Sequence, residues 1–136
     1  MFETLTAFLP RLQSSKYGKL IIDRENDGSP DHPIRFPFVA YDRTVIDFEK
    51  TAYRFVDEHK EMELTNYDDS LQKAGLEWGS ASMENADVSA LDGRTVMALI
   101  IGAIRADRFC DGVLLDFFKK GCIKKWLLRL KEIDEQ

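Results

Sequence analysis

A chain of 136 residues, 44% hydrophobic and 32% charged, has the length of one domain and enough apolar material to offset chain entropy, which excludes disorder for most of it. Its net charge of −5 argues against general nucleic-acid binding, which rests on neutralising phosphates. The longest apolar run, Val96 to Ile104, is about half the ~20 residues of a membrane span, so it predicts a buried core helix and no membrane insertion.

The opening Met1-Phe2-Glu3-Thr4 lacks the basic segment of a secretory signal. Two cysteines, Cys110 and Cys122, are too few for a disulfide framework and are expected as free thiols in the cytoplasm. Phe2, Leu5, Phe8, Leu9 and Leu12 recur at helical spacing, with Pro10 expected to kink or restart that helix. Gly18 ends the segment, and residues 19–23 fit either a short strand or a helical turn. Residues 24–37 hold Gly28, Pro30, Pro33 and Pro37 and predict a loop, either a plain surface connection or a functional one.

A second helix is expected from about Thr44 to Lys60, with Thr44 and Asp47 approximating a capping box. Val45, Phe48, Ala52, Phe55, Val56 and His59 trace its inner stripe, while Glu49, Tyr53, Asp57 and Glu61 fall toward water. His59 is expected to pair with Glu63 or to pack its ring. Asn66 or Asp68 caps a short third helix through Ala74, with Gly75 as its stop. Residues 75–88 read as a loop carrying Trp78. Ser89 with Asp92 gives a capping signature for a central helix running to about Ala106. Asp107 is expected to cap a further helix to Lys120, with Val113, Leu114, Phe117 and Phe118 inward and Gly121 as its left-handed stop. A last helix, about Cys122 to Glu132, turns Ile123, Trp126, Leu127 and Leu130 inward. The expected fold is all-α or mostly α: a compact bundle of about five helices forming a single domain over residues 1–136, with room for a minor β hairpin in residues 19–40.

Chemical motifs are sparse. The four zinc-type ligands (Cys110, Cys122, His32 and His59) form no CxxC or HxxxH pair, so no metal site is expected. Gly79-Ser80-Ala81-Ser82 is not a nucleophile elbow, and no Gly-rich phosphate loop exists. No cofactor is expected. The strongest constellation is Arg105-Ala106-Asp107-Arg108-Phe109-Cys110-Asp111-Gly112, read as the joint between two helices. Free N–H groups at the second helix's start would favour an anion, and Arg105 and Arg108 would clamp it. Cys110 in that first turn would have its thiolate favoured. A purely structural joint competes with this: Asp107 caps, Asp111 answers the dipole, the arginines pair with both, and Phe109 and Cys110 join the core.

The Arg105–Gly112 stretch, followed by Phe118, Gly121, Trp126-Leu127 and Arg129-Leu130, resembles the C-terminal hallmark of a family of small bacterial domains of unknown function. Arg-Phe-Cys-Asp-Gly is its most specific part. The segment from Pro33 to Tyr41 resembles the same family's N-terminal half, so the resemblance covers most of the chain. It implies a helical bacterial domain and transfers no catalytic residue.

From residue 119 onward six basic residues face three acidic ones, leaving the first 118 residues at a net −8. Lys124, Lys125 and Arg129 are therefore either the solvated side of the last helix or a docking face for an acidic partner. The preferred function is a non-enzymatic accessory domain that binds an unknown protein or itself; the alternative is a small-molecule or anion (phosphorylated metabolite) site, binding or enzymatic, at the Arg105–Gly112 joint. For the second, Arg105, Asp107, Arg108, Cys110 and Asp111 are the candidate residues, with Tyr41, Tyr67 or Trp78 alongside.

Overall fold

The computed structural model describes residues 1–21 and 38–136. The expected loop over 24–37, His32 and most of the Pro33–Tyr41 segment lie outside the described residues. Pro10 divides the first apolar stripe as expected: α1 (Glu3–Thr6) gives way to α2 (Leu9–Ser14), with Pro10 in the first turn of α2. There its missing N–H removes no helical bond. The break does not disturb the stripe, because Phe2, Leu5, Phe8 and Leu12 are all buried.

Residues 18–21 resolve as strand, not helical turn. β1 (Gly18–Ile21) pairs antiparallel with β2 (Phe38–Tyr41), Gly18 opposite Tyr41. The chain then enters α3 (Arg43–Glu58), whose N-cap is Asp42 and not Thr44. The Asp42 carboxylate accepts from Val45 N at 3.1 Å and from Tyr17 N at 3.0 Å, and receives the Ser15 hydroxyl as well. One carboxylate thus starts the helix and holds the segment before β1 against it.

The inner stripe of α3 buries Val45, Phe48, Ala52 and Phe55. His59 stacks on Phe55 with ring centroids 3.9 Å apart, and its Nδ1 lies 3.0 Å from the Phe55 carbonyl, so the ring packs and makes no pair with Glu63. Two single 3-10 turns (Lys60–Met62 and Leu64–Asn66) lead to α4 (Tyr67–Lys73). The expected loop over 75–88 contains a short helix, α5 (Ser80–Glu84), that buries Met83.

α6 (Gly93–Ala106) is the central element: every residue from Val96 to Ile104 is buried. Its cap is Asp92, which accepts from Thr95 N at 2.9 Å, whereas Ser89 sits in the preceding turn bonded to Asp87. α4, α7 (Val113–Lys119), α8 (Cys122–Glu135) and α3 all pack on α6. The four inward positions of α8 are buried, and Phe117 on α7 meets Trp126 at 5.4 Å between centroids. Phe118 lies edge-on to Phe48 of α3. Large side chains of this kind contribute roughly 1.5–3 kcal/mol each when fully buried. The fold is mostly helical with one small antiparallel pair of strands. No helix among the described residues is long and apolar enough to cross a membrane.

Candidate functional site

The segment after α6 is not the direct helix joint that its sequence suggests. α6 ends at Ala106, α7 begins only at Val113, and six residues of turn separate them. Gly112 makes this turn fit: its φ of +96° lies in the left-handed region, where a side chain is strained. Cys110 therefore stands outside the first helical turn and is exposed. Phe109 is 80% exposed, so neither residue belongs to the core.

Asp107 does serve the start of α7, from a distance. Its Oδ1 accepts from Gly112 N at 3.0 Å, from Leu114 N at 3.2 Å and from the Tyr41 hydroxyl at 2.8 Å. The same hydroxyl accepts from Leu115 N at 3.2 Å. Asp111 accepts from Val39 N at 3.1 Å. Both aspartates thus bind β2 to the turn, and the donors at the start of α7 are filled by the protein's own groups. No vacant helix terminus waits for an anion there. Burial, reinforced by Asp107, pushes the Tyr41 phenol far above its ordinary range.

The two arginines part company. Neither forms an ion pair among the described residues. Arg108 is exposed, with its guanidinium carbon 6.0 Å from the centroid of the Tyr53 ring. Arg105, half-buried on the last turn of α6, lines a cleft of about 270 Å³. Buried Leu64 and Ile101 and half-buried Val56 supply its apolar surface, and Tyr53 and Tyr67 its aromatic surface; Asp57 and Thr65 line it from exposed positions. The Tyr53 hydroxyl is buried and has no hydrogen-bond partner among the described residues. Such an orphan donor costs about 1–3 kcal/mol.

Tyr53, Asp57 and Thr65 were not singled out by the sequence. On periodicity alone Tyr53 and Glu49 belong to the watery flank of α3, yet both are partly buried. The turn at 64–66 and α4 pack on α6 and bring Leu64, Thr65 and Tyr67 into one cleft with Tyr53, Val56 and Asp57, while Asp107 and Arg108 lie near Glu49, none of which a single helix's pattern encodes. Burial, with the nearby Asp107 charge adding to it and Arg108 opposing, raises the Glu49 carboxyl above its usual range. A raised carboxyl contributes stability below its unfolded pKa and loses it as pH rises through the folded value. Glu49→Gln should therefore stabilise the protein near pH 7 and change nothing below about pH 4; urea unfolding at both pH values measures this.

A larger cleft of about 570 Å³ lies at the start of α6 between Lys73 and Arg94. Lys73 pairs with Asp69, Arg94 Nη2 with Glu63, and Asp92 caps the helix, while Arg94 Nε and the Ser70 hydroxyl are buried without a partner among the described residues. On α8, Lys125 donates to the carbonyls of Glu84 and Ala86, and Arg129 donates to the Leu91 carbonyl. These two cations hold the α5-to-α6 connection against α8, whereas Lys124 is exposed. Lys124 and Lys125 also line a shallow cleft beside Leu128. Trp78 bridges Tyr67 and Phe109, at 5.7 Å between centroids in each case, and donates to the Gly102 carbonyl at 3.0 Å. Among the described residues no three His, Cys, Asp or Glu side chains are grouped to hold a metal ion.

The model of a family of unknown function, DUF6508, matches residues 2–136. No curated protein and no solved structure shows detectable similarity to the chain.

Proposed function

We propose that this chain, which belongs to the family of unknown function DUF6508, acts as a single cytoplasmic domain that binds a small organic anion in the Arg105 cleft. One observation carries the reading. A half-buried arginine without an acidic partner among the described residues lines a partly apolar cleft together with Tyr53, whose buried hydroxyl has no partner among the described residues. Arginine supplies a fork of donors suited to a carboxylate or phosphate. The surrounding Val56, Leu64, Ile101 and Tyr67 give an apolar part of the same molecule a surface to cover.

Binding moves from the turn named by the sequence to the helix end before it. Of the five residues singled out there, Arg105 lies in the cleft and Arg108 beside Tyr53, while Asp107 and Asp111 hold the scaffold. Cys110 takes no part in the proposed site.

Isothermal titration against a panel of small carboxylates and phosphate monoesters tests the reading. Arg105→Met should weaken any binding by roughly 10- to 100-fold, the worth of a charged hydrogen bond, with the unfolding midpoint nearly unchanged. Arg108→Ala should have a several-fold smaller effect.

A second reading, an accessory domain that binds protein, is favoured by Phe109, which stands 80% exposed against the edge of Trp78. No response to any anion, together with a concentration-dependent dimer in sedimentation, would transfer support to that reading.

A further inference from the structure

Arg105 is one of two opposite charges that line the cleft, and the other is Asp57. Asp57 lies one helical turn beyond Tyr53 on α3, whereas Arg105 stands on α6. No ion pair joins them, although each has a long or exposed side chain facing the same small volume. Opposite charges held apart over an apolar surface complement a molecule that carries both signs at one end and hydrocarbon at the other.

Building on the anion reading above, we infer that the ligand is a free α-amino acid with an apolar side chain. Its carboxylate takes the Arg105 guanidinium. Its ammonium faces Asp57, with the Thr65 hydroxyl as a further acceptor at the same edge. The side chain lies against Val56, Leu64 and Ile101. A cleft of about 270 Å³ has room for a molecule of this size. A bare phosphate or a simple fatty acid would leave Asp57 facing it as a repulsive charge, so the same carboxylate selects against them.

Calorimetric titration of the full chain with L-leucine, N-acetyl-L-leucine and L-leucinamide separates the contributions. Leucine should bind, and both analogues should bind at least about tenfold more weakly, since each lacks one charged end. Asp57→Asn, a substitution at an exposed position, should weaken leucine by about tenfold and strengthen N-acetyl-leucine, which the native carboxylate repels. If N-acetyl-leucine binds as tightly as leucine, or if Asp57→Asn has no effect on leucine, the amino-acid assignment is overturned while the anion site stands. If neither these compounds nor any other carboxylate or phosphate ester binds, the site itself is overturned along with it.

Discussion

Asp107→Ala should destabilise the protein by about 2–4 kcal/mol, the largest loss expected from any single polar side chain here. One carboxylate oxygen receives three donors: the Tyr41 hydroxyl and the backbone N–H groups of Gly112 and Leu114. Removing it orphans all three at once in a partly buried place, and an unmade bond there costs more than a made one contributes. The damage should spread to β2, because Tyr41 also holds the N–H of Leu115. Tyr41→Phe should cost less, about 1–2 kcal/mol, since Asp107 would keep both backbone donors. The double variant should cost less than the two losses added, because the residues share one network.

The same network has a pH signature. The Tyr41 phenol is raised by burial and then by Asp107, so its contribution is complete below the unfolded pKa of about 10 and declines above it. Wild type should therefore lose stability past pH ~10 faster than Tyr41→Phe does. Urea unfolding followed by circular dichroism, with and without each substitution, measures both effects. A loss below about 0.5 kcal/mol for Asp107→Ala would mean that the turn is held by something other than this carboxylate.

That turn also shows where sequence reading reached its limit. Residue types already marked Asp107 as a cap, and the structure agrees in function but not in position. A carboxylate directly preceding a helix and one reaching it across six residues look alike in sequence until the φ of Gly112 is known. The same ambiguity displaced two other caps by a few residues. Asp42 and Thr44, and likewise Asp92 and Ser89, are all good capping types, so hydrophobic periodicity alone could not choose between them. What periodicity decided well was burial along long elements. The Val96–Ile104 run is central because it is apolar on every face, and the α8 stripe is inward because its polar positions leave only one face apolar. The cleft was half legible. Arg105 stood out by its neighbourhood in sequence, but Tyr53 is half-buried and Asp57 exposed on the flank of a different helix, about fifty positions before it. Only tertiary packing brings them to Arg105.

Gly102→Val should be the most damaging single change to the site that touches none of its charges. Gly102 lies in the buried middle of α6, where a glycine costs about 1 kcal/mol relative to alanine, so something must require its lack of a side chain. A β-carbon there would stand 3.2 Å from Met83 Cε and 3.4 Å from both the Trp78 and Tyr67 rings. The indole comes close enough for its Nε1 to donate to the Gly102 carbonyl. Alanine needs only the flexible end of Met83 to give by a few tenths of an ångström, and its better helix propensity should offset this and leave stability within about 0.5 kcal/mol of wild type. Valine adds two methyl groups with little rotamer freedom, which must displace the aromatic layer. The overpacking and the lost indole bond together should cost about 2–4 kcal/mol. Tyr67 is also a wall of the Arg105 cleft, so affinity should fall with stability, whereas Arg105→Met should lower affinity alone. Trp126 is fully buried elsewhere in the core, so a red shift in tryptophan emission on Gly102→Val would report release of Trp78. Unchanged emission with unchanged stability would show that the aromatic layer does not rest on this helix, and the cleft wall would then need another support.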